Sequence, residues 1–243
     1  MRVLFWGTPA FALPAFRALS EEGHDVVGVV TQPDRPSGRR RALIPSPVRA
    51  VAVAEGIPVL QPERARGAEF EAALRALRPE ISVVVAFGQI LRPEILELPP
   101  LGSINLHASL LPELRGAAPI QWAVARGKET TGVSIMRMEA GLDSGPILLQ
   151  VAEPIRPDES AGELASRLAE VGAEAMIATL VLLATDAVEE QPQRHELATH
   201  APKLNREAAR VEWHRSAGEV ARWIRATDPA PGAWSPLDGR GPV

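Results

Sequence analysis

MRVLFWGTPAFALPAFRALSEEGHDVVGVV (1–30) decides the architecture. Met1–Trp6 is an apolar run stopped by Gly7, Thr8 and Pro9, which reads as a buried strand. Phe11, Leu13, Ala15, Phe16 and Leu19 then mark a short helix that ends near Gly23. Val26–Val30 is a second buried strand. A strand, a helix and a strand in this order predict parallel pairing with a right-handed crossover.

The alternation continues outward from there. Helices are expected over Val48–Glu55, Ala68–Leu77, Pro119–Arg126 and Gly162–Leu183. Strands are expected over Ile57–Leu60, Ile81–Ala86 and Ser103–His107, and a strand pair over Thr131–Met138 and Pro146–Glu153 around a turn at Gly141–Gly145. Continuous apolar strands between helices imply an α/β fold, a mostly parallel sheet with helices on both faces. Thr31–Pro47, interrupted by Pro33, Pro36, Gly38, Pro45 and Pro47, predicts a long loop without elements of its own. Residues 1–189 read as one catalytic domain, and the polar, aperiodic stretch 190–205 as a linker. Residues 206–243 are too few for much of a core and read as the start of a second domain.

The chain has 243 residues, 46% of them hydrophobic and 23% charged, which is a globular composition. No apolar run reaches the roughly 18 residues of a membrane span. The first residues lack a signal-peptide pattern, so the cytoplasm is the default compartment. There is no Cys, which excludes disulfides, thiolate metal sites and cysteine nucleophiles. The net charge of −4 is uneven: residues 67–202 carry 10 basic and 19 acidic side chains, whereas both ends are mildly basic. That pattern does not suit a general coat for nucleic acid, DNA included, but allows a local basic contact at either end. The densest basic cluster is Arg39, Arg40 and Arg41, which reads either as a solvated loop or as a phosphate grip.

Several chemistries are absent. The glycines of a dinucleotide fingerprint do not follow the first strand, and there is no phosphate-binding Gly-Lys-Ser/Thr element. The five His include no i, i+4 pair, so no metal is expected. What remains centres on Ser103–His107. On a strand, Asn105 and His107 point to one face and Ile104 and Leu106 to the other. Two polar side chains near the end of a buried parallel strand are costly unless paired, and ligands of open α/β sheets sit beyond such ends. An Asn–His pair satisfying loop backbone is the ordinary alternative. Asp143, within Gly141–Gly145, is the acidic candidate; a turn Asp capping its own backbone is the commoner use. Together, an Asn and a His can donate to a developing oxyanion while an Asp supports the His in proton transfer. That machine suits direct acyl transfer to an amine.

NLHASLLPELRGAAPI at 105–120 resembles the signature of the folate-dependent formyltransferases. The likeness extends to GTPAFALPAF (7–16), VVTQPDRPSGRRR (29–41), SPVRAVAVAEGIPVLQP (46–62), VVVAFGQIL (83–91), TGVSIMRMEAGLDSGPIL (131–148) and IRATDPAPGAW (224–234), which is closest to the branch acting on charged tRNA. The resemblance implies a Rossmann-like domain that uses 10-formyltetrahydrofolate, without metal, to formylate the methionine of initiator Met-tRNA. It implies catalytic roles for Asn105, His107 and Asp143. It also implies folate contacts from Phe87, Gly88, Gln89, Ile90 and Leu91 and from Ser109, Leu110, Leu111 and Pro112, and tRNA contacts from Arg39, Arg40 and Arg41. A monomer is expected. The family's C-terminal OB-like β-barrel would be incomplete here, which leaves an N-formyltransferase of a small amino sugar or nucleotide as the alternative. Glu113-Leu114 stands where the family has a basic-aromatic pair, and a carboxylate there would repel a phosphate-bearing substrate. Lys203, Arg206, Arg210, Arg222 and Arg225 are further candidates to face tRNA, or else a solvated surface.

Overall fold

The computed structural model describes residues 1–37, 42–237 and 240–242. Strand β1 (Arg2–Gly7) leads through a single 3-10 turn into helix α1 (Leu13–Glu21) and back into β2 (Asp25–Val30). A small hairpin, β3 (Arg35–Ser37) and β4 (Ala42–Ile44), precedes α2 (Pro47–Ala54), β5 (Val59–Leu60) and α3 (Ala68–Ala76). Then come β6 (Ile81–Val85), a short α4 (Pro93–Leu96), β7 (Ser103–His107), α5 (Pro119–Ala125) and the pair β8 (Thr130–Arg137) and β9 (Ile147–Pro154). The long α6 (Ala161–Ala184) follows, and after an extended stretch α7 (Ala217–Thr227), β10 (Pro236–Leu237) and β11 (Arg240–Pro242). The main sheet has seven strands in the order β5-β2-β1-β6-β7-β8-β9. The first five run parallel, and β8 and β9 are antiparallel to their neighbours.

Helices cover both faces. Phe5, Phe16, Ile104, Leu106, Leu164 and Leu168 are buried in one core with α1 and α6. On the other face Trp6, Phe87, Leu91, Ile95 and Leu96 pack with α3 and α4. The Trp6 indole is wholly buried there, and its N–H is satisfied by Ser82 Oγ at 3.1 Å. Helix α6 starts where its sequence says it should: Ser160 and Glu163 form a reciprocal capping box. It also packs tightly on β7, because a Cβ at Gly172 would sit 2.5 Å from Leu106 Cδ1. The strand that carries Asn105 and His107 is therefore clamped from below.

Two regions differ from the reading of the sequence. The loop expected over Thr31–Pro47 contains the β3–β4 hairpin, whose residues 35–37 pair with 42–44. Its tip, with Arg39, Arg40 and Arg41, lies outside the described residues. The C-terminal part forms α7 and a two-stranded ribbon, and no barrel closes among the described residues. Helix α7 lies on α5, where Trp122 and Trp223 meet edge to face at 6.0 Å. Stretch 190–205 has one 3-10 turn, His195–Leu197, but docks onto the domain through bridges from Gln191 to Ile147 and from His200 to Arg115.

Candidate active site

Ile104 and Leu106 enter the α6-side core, which leaves Asn105 and His107 on the opposite face of β7. His107 is 5% exposed. Its Nε2 lies 2.9 Å from the carbonyl oxygen of Leu114, a pure acceptor, so Nε2 carries a proton and donates it there. That contact fixes the ring and leaves Nδ1 facing the carboxylate of Asp143 at 3.7 Å. The separation is too long for a hydrogen bond but short enough for an ion pair when the ring is protonated. Asn105 is half-buried, and its carboxamide makes no hydrogen bond among the described residues. An unused amide donor thus stands one pleat away from an oriented imidazole.

Asp143 does not cap its own turn. Its Oδ2 accepts from the backbone N–H of Gly116 at 2.8 Å, across to the loop after β7. The residue adopts φ +49°, in the left-handed region that Asp tolerates better than most side chains. The loop after β8 is therefore folded back so that its carboxylate reaches the end of β7.

The two segments expected to meet folate behave differently. Val85 pairs with Leu106, so the loop Phe87–Leu91 leaves the sheet beside His107. Phe87 and Leu91 are buried and anchor it, the Phe87 carbonyl accepts from Thr8 and Gln32, and Gln89 is tied to Ala65 N–H. Gly88, at φ +88°, has an open face, and Ile90 projects at 89% exposure. A cavity of about 520 Å³ runs between α4, the turn before β7 and the segment after β8, lined by Leu96, Ser103, Met138 and Glu139 among others. Leu96 and Met138 also pack with Phe87 and Leu91.

Ser109–Pro112, in contrast, spends its polar groups internally. Ser109 Oγ donates to the Glu113 carbonyl, Leu111 N–H donates to Ser134 Oγ, and the Leu111 carbonyl accepts from Gln150. The Leu111 amide is therefore not available to line a pocket. Glu113 is ion-paired with Lys128, so its charge is compensated rather than presented bare to substrate. Leu114 is fully buried beside Ala123 and Ala201.

Sequence reasoning passed over Gln193 and Thr199. Gln193 donates to the carbonyls of Asp143 and Gly145, and Thr199 Oγ1 accepts from Leu114 N–H. Both lie in an aperiodic polar stretch, and no local signal marks them.

A mostly parallel sheet thus brings a neutral amide, an oriented imidazole and a carboxylate together at the end of β7. The family model described as formyl transferase matches residues 1–180, and the one described as formyl transferase, C-terminal domain, matches 203–241. The chain is 51% identical over 239 residues to the methionyl-tRNA formyltransferase of Pseudomonas putida (strain GB-1), covering 98% of this chain and 77% of that protein. It is also 51% identical to the enzyme of that name from Pseudomonas fluorescens (strain SBW25), covering 98% of this chain and 75% of that one. The chain belongs to the methionyl-tRNA formyltransferase family. Among solved structures, a sugar N-formyltransferase from Shewanella sp. superposes with a TM-score of 0.76 at 16% identity, covering 100% of this chain and 95% of that one. HypX from Aquifex aeolicus in complex with tetrahydrofolic acid gives 0.73 at 18%, covering 98% and 36%. At such identities these two share the fold. Among the described residues no helix is long and apolar enough to cross a membrane.

Proposed function

We propose that the chain transfers the formyl group of 10-formyltetrahydrofolate to the amino group of methionine on initiator tRNA, with Asn105, His107 and Asp143 as catalytic residues. The observation that carries the residue assignment is the approach of Asp143 to His107 Nδ1 at 3.7 Å beside the Asn105 amide, which is unpartnered among the described residues. The co-substrate supplies an activated formyl carbon, and its N10 takes up a proton as the C–N10 bond breaks. Asn105 Nδ2 donates to the formyl oxygen, where negative charge grows as the amine attacks. Nδ1 of His107 receives the proton the amine loses and returns one to N10, while Nε2–H stays on Leu114. Asp143 faces the positive charge His107 holds during that exchange.

The loop Phe87–Leu91 and the adjoining cavity are the proposed folate site. Apolar walls from Leu96 and Met138, with a carboxylate from Glu139, suit a flat heterocycle bearing amino groups. In Ser109–Pro112, where Leu111 is buried and its polar groups are used, the folate contact falls to the half-buried Leu110 and Pro112. For tRNA, Arg126, Arg210 and Arg222 line a cavity of about 440 Å³ with Trp122 and Trp223, where Arg215 is ion-paired with Glu212. Arg222 Nε and Trp223 Nε1 are buried there without a partner among the described residues. Guanidinium and indole groups together suit a ligand that is both anionic and aromatic, as RNA is. Arg225 belongs elsewhere, since it bonds to the Pro157 carbonyl and Asp158.

The test is formyl transfer from 10-formyltetrahydrofolate to methionine-charged initiator tRNA, with uncharged tRNA as control, over a salt series. Transfer to the charged tRNA that weakens steeply with ionic strength is expected. Preferential, salt-insensitive formylation of a small amino sugar or nucleotide would overturn the assignment.

A further inference from the structure

Residues 191–201 bond to Asp143 directly and reach His107 through Leu114. Gln193 is 6% exposed, and both ends of its carboxamide are used. Nε2 donates to the carbonyl oxygens of Asp143 at 3.0 Å and Gly145 at 2.7 Å. Oε1 accepts from Arg115 Nε at 3.0 Å and Nη2 at 2.5 Å. Arg115 is equally buried, at 6%, and its other side-chain neighbour is His195 Nδ1 at 3.2 Å. Its backbone is stitched to the same stretch, donating to the Thr199 carbonyl and accepting from Ala201 N–H.

Arg115 sits between the two backbone groups that aim the catalytic side chains. On one side, the Leu114 carbonyl takes the proton of His107 Nε2, and the Leu114 N–H is held by Thr199 Oγ1 at 2.9 Å. On the other, Gly116 N–H donates to the Asp143 carboxylate. The stretch closes against Gly116, where a Cβ would lie 2.8 Å from the Ala201 carbonyl oxygen.

We propose that residues 191–201 form a positioning strap, in which Gln193 sets the Asp143 loop and Thr199, through Leu114, sets His107. A neutral amide is required at 193, because one side chain must donate twice to carbonyls and accept from a guanidinium at once. The strap spans the gap between the end of β7 and the loop carrying Asp143, which lies beyond the registered pairing of β7 with β8 among the described residues. The proposal rests on the catalytic reading of His107 and Asp143.

The test uses the full chain and Gln193→Glu. A carboxylate keeps and strengthens the Arg115 contact, so the strap stays docked, but it loses both donors and faces two carbonyl oxygens. The expected result is kcat lowered by about 10–100-fold, as for a misplaced catalytic group. KM for either substrate should move by less than about threefold, with a lower melting temperature but a melt that stays cooperative. A kcat within about twofold of the parent would overturn the role of Gln193. Thr199→Val and Thr199→Ser form the second arm and decide the matter if Gln193→Glu fails to fold. Loss of kcat in Val with recovery in Ser supports the strap, and equal kcat in both overturns it. Asp143→Ala separates the two levels. If it is crippled while the Gln193 and Thr199 variants turn over normally, the strap alone falls. If Asp143→Ala keeps near-normal turnover, the catalytic reading falls and the strap with it.

Discussion

The end of β7 and the loop after β8 deliver the two halves of one site by opposite means. Asn105 and His107 ride a strand hydrogen-bonded on both sides, parallel to β6 and antiparallel to β8, with α6 pressed against its back at Gly172. Their direction follows from the pleat. Asp143 rides a connection between β8 and β9, in a left-handed backbone conformation, and is placed by Gly116 N–H and by Gln193. A side chain on a central strand is positioned by local geometry. A side chain on a hairpin loop needs tertiary bonds from distant chain, and here these come from the loop after β7 and from the stretch that leads towards the C-terminal region.

The sharpest way to break the comparison is to delete each half separately. Asn105→Ala should lower kcat by about 10²–10³, the cost of losing one oxyanion donor. It should leave the melting temperature unchanged, since the amide bonds to nothing among the described residues. Steady-state kinetics with a thermal melt checks both, and a normal kcat would remove Asn105 from the mechanism. Asp143→Ala should cost a comparable factor, about 10²–10³, with folate binding by equilibrium titration nearly unchanged. A large loss of folate affinity would instead make Asp143 a binding residue.

Gly116→Ala probes the junction between the halves. The added Cβ meets backbone rather than a movable side chain, at φ +119°. The expected destabilisation is about 1–3 kcal/mol, or a melting temperature lower by roughly 2–4 °C per kcal/mol for a chain of this size. An unchanged melt would show that the strap yields easily and so positions little.

The smallest effect lies away from the site and calibrates the others. Burial pushes the Glu159 carboxyl up, but hydrogen bonds from Arg167 and from the Arg156 N–H outweigh it and hold it below its ordinary value. The folded state therefore binds fewer protons than the unfolded one in the acid range. The resulting stability is present above the unfolded carboxyl's value and is lost as pH falls through the folded one. Glu159→Gln should flatten the acid limb of melting temperature against pH. A limb parallel to the parent's would show that Glu159 does not contribute to acid sensitivity.

Much of this was legible from short-range pattern. Ser103–His107 is a strand with the bounds its sequence suggested, and the alternation of Ile104 and Leu106 with Asn105 and His107 put two polar groups on one face. The β3–β4 hairpin was not legible, because each strand is only three residues long and Pro36 sits inside the first. The pairing of Glu113 with Lys128 was hidden for another reason: its partners lie on separate loops, and neither carries a local signature.

By itself, the sequence determined the parallel pairing of the opening strand-helix-strand unit, the apolar runs of the parallel sheet and three candidate catalytic side chains. Each of these is set by periodicity or by motif within a few residues. Only the tertiary structure decided that Asp143 caps Gly116 rather than its own turn, that His107 spends Nε2 on Leu114, and that Gln193 and Thr199 lie behind both. Most of those hydrogen bonds join groups 27 to 85 residues apart, and the one from His107 to Leu114 depends on how the loop after β7 is folded back. Their existence depends on which loops the packed sheet brings together, and the local sequence carries no record of that.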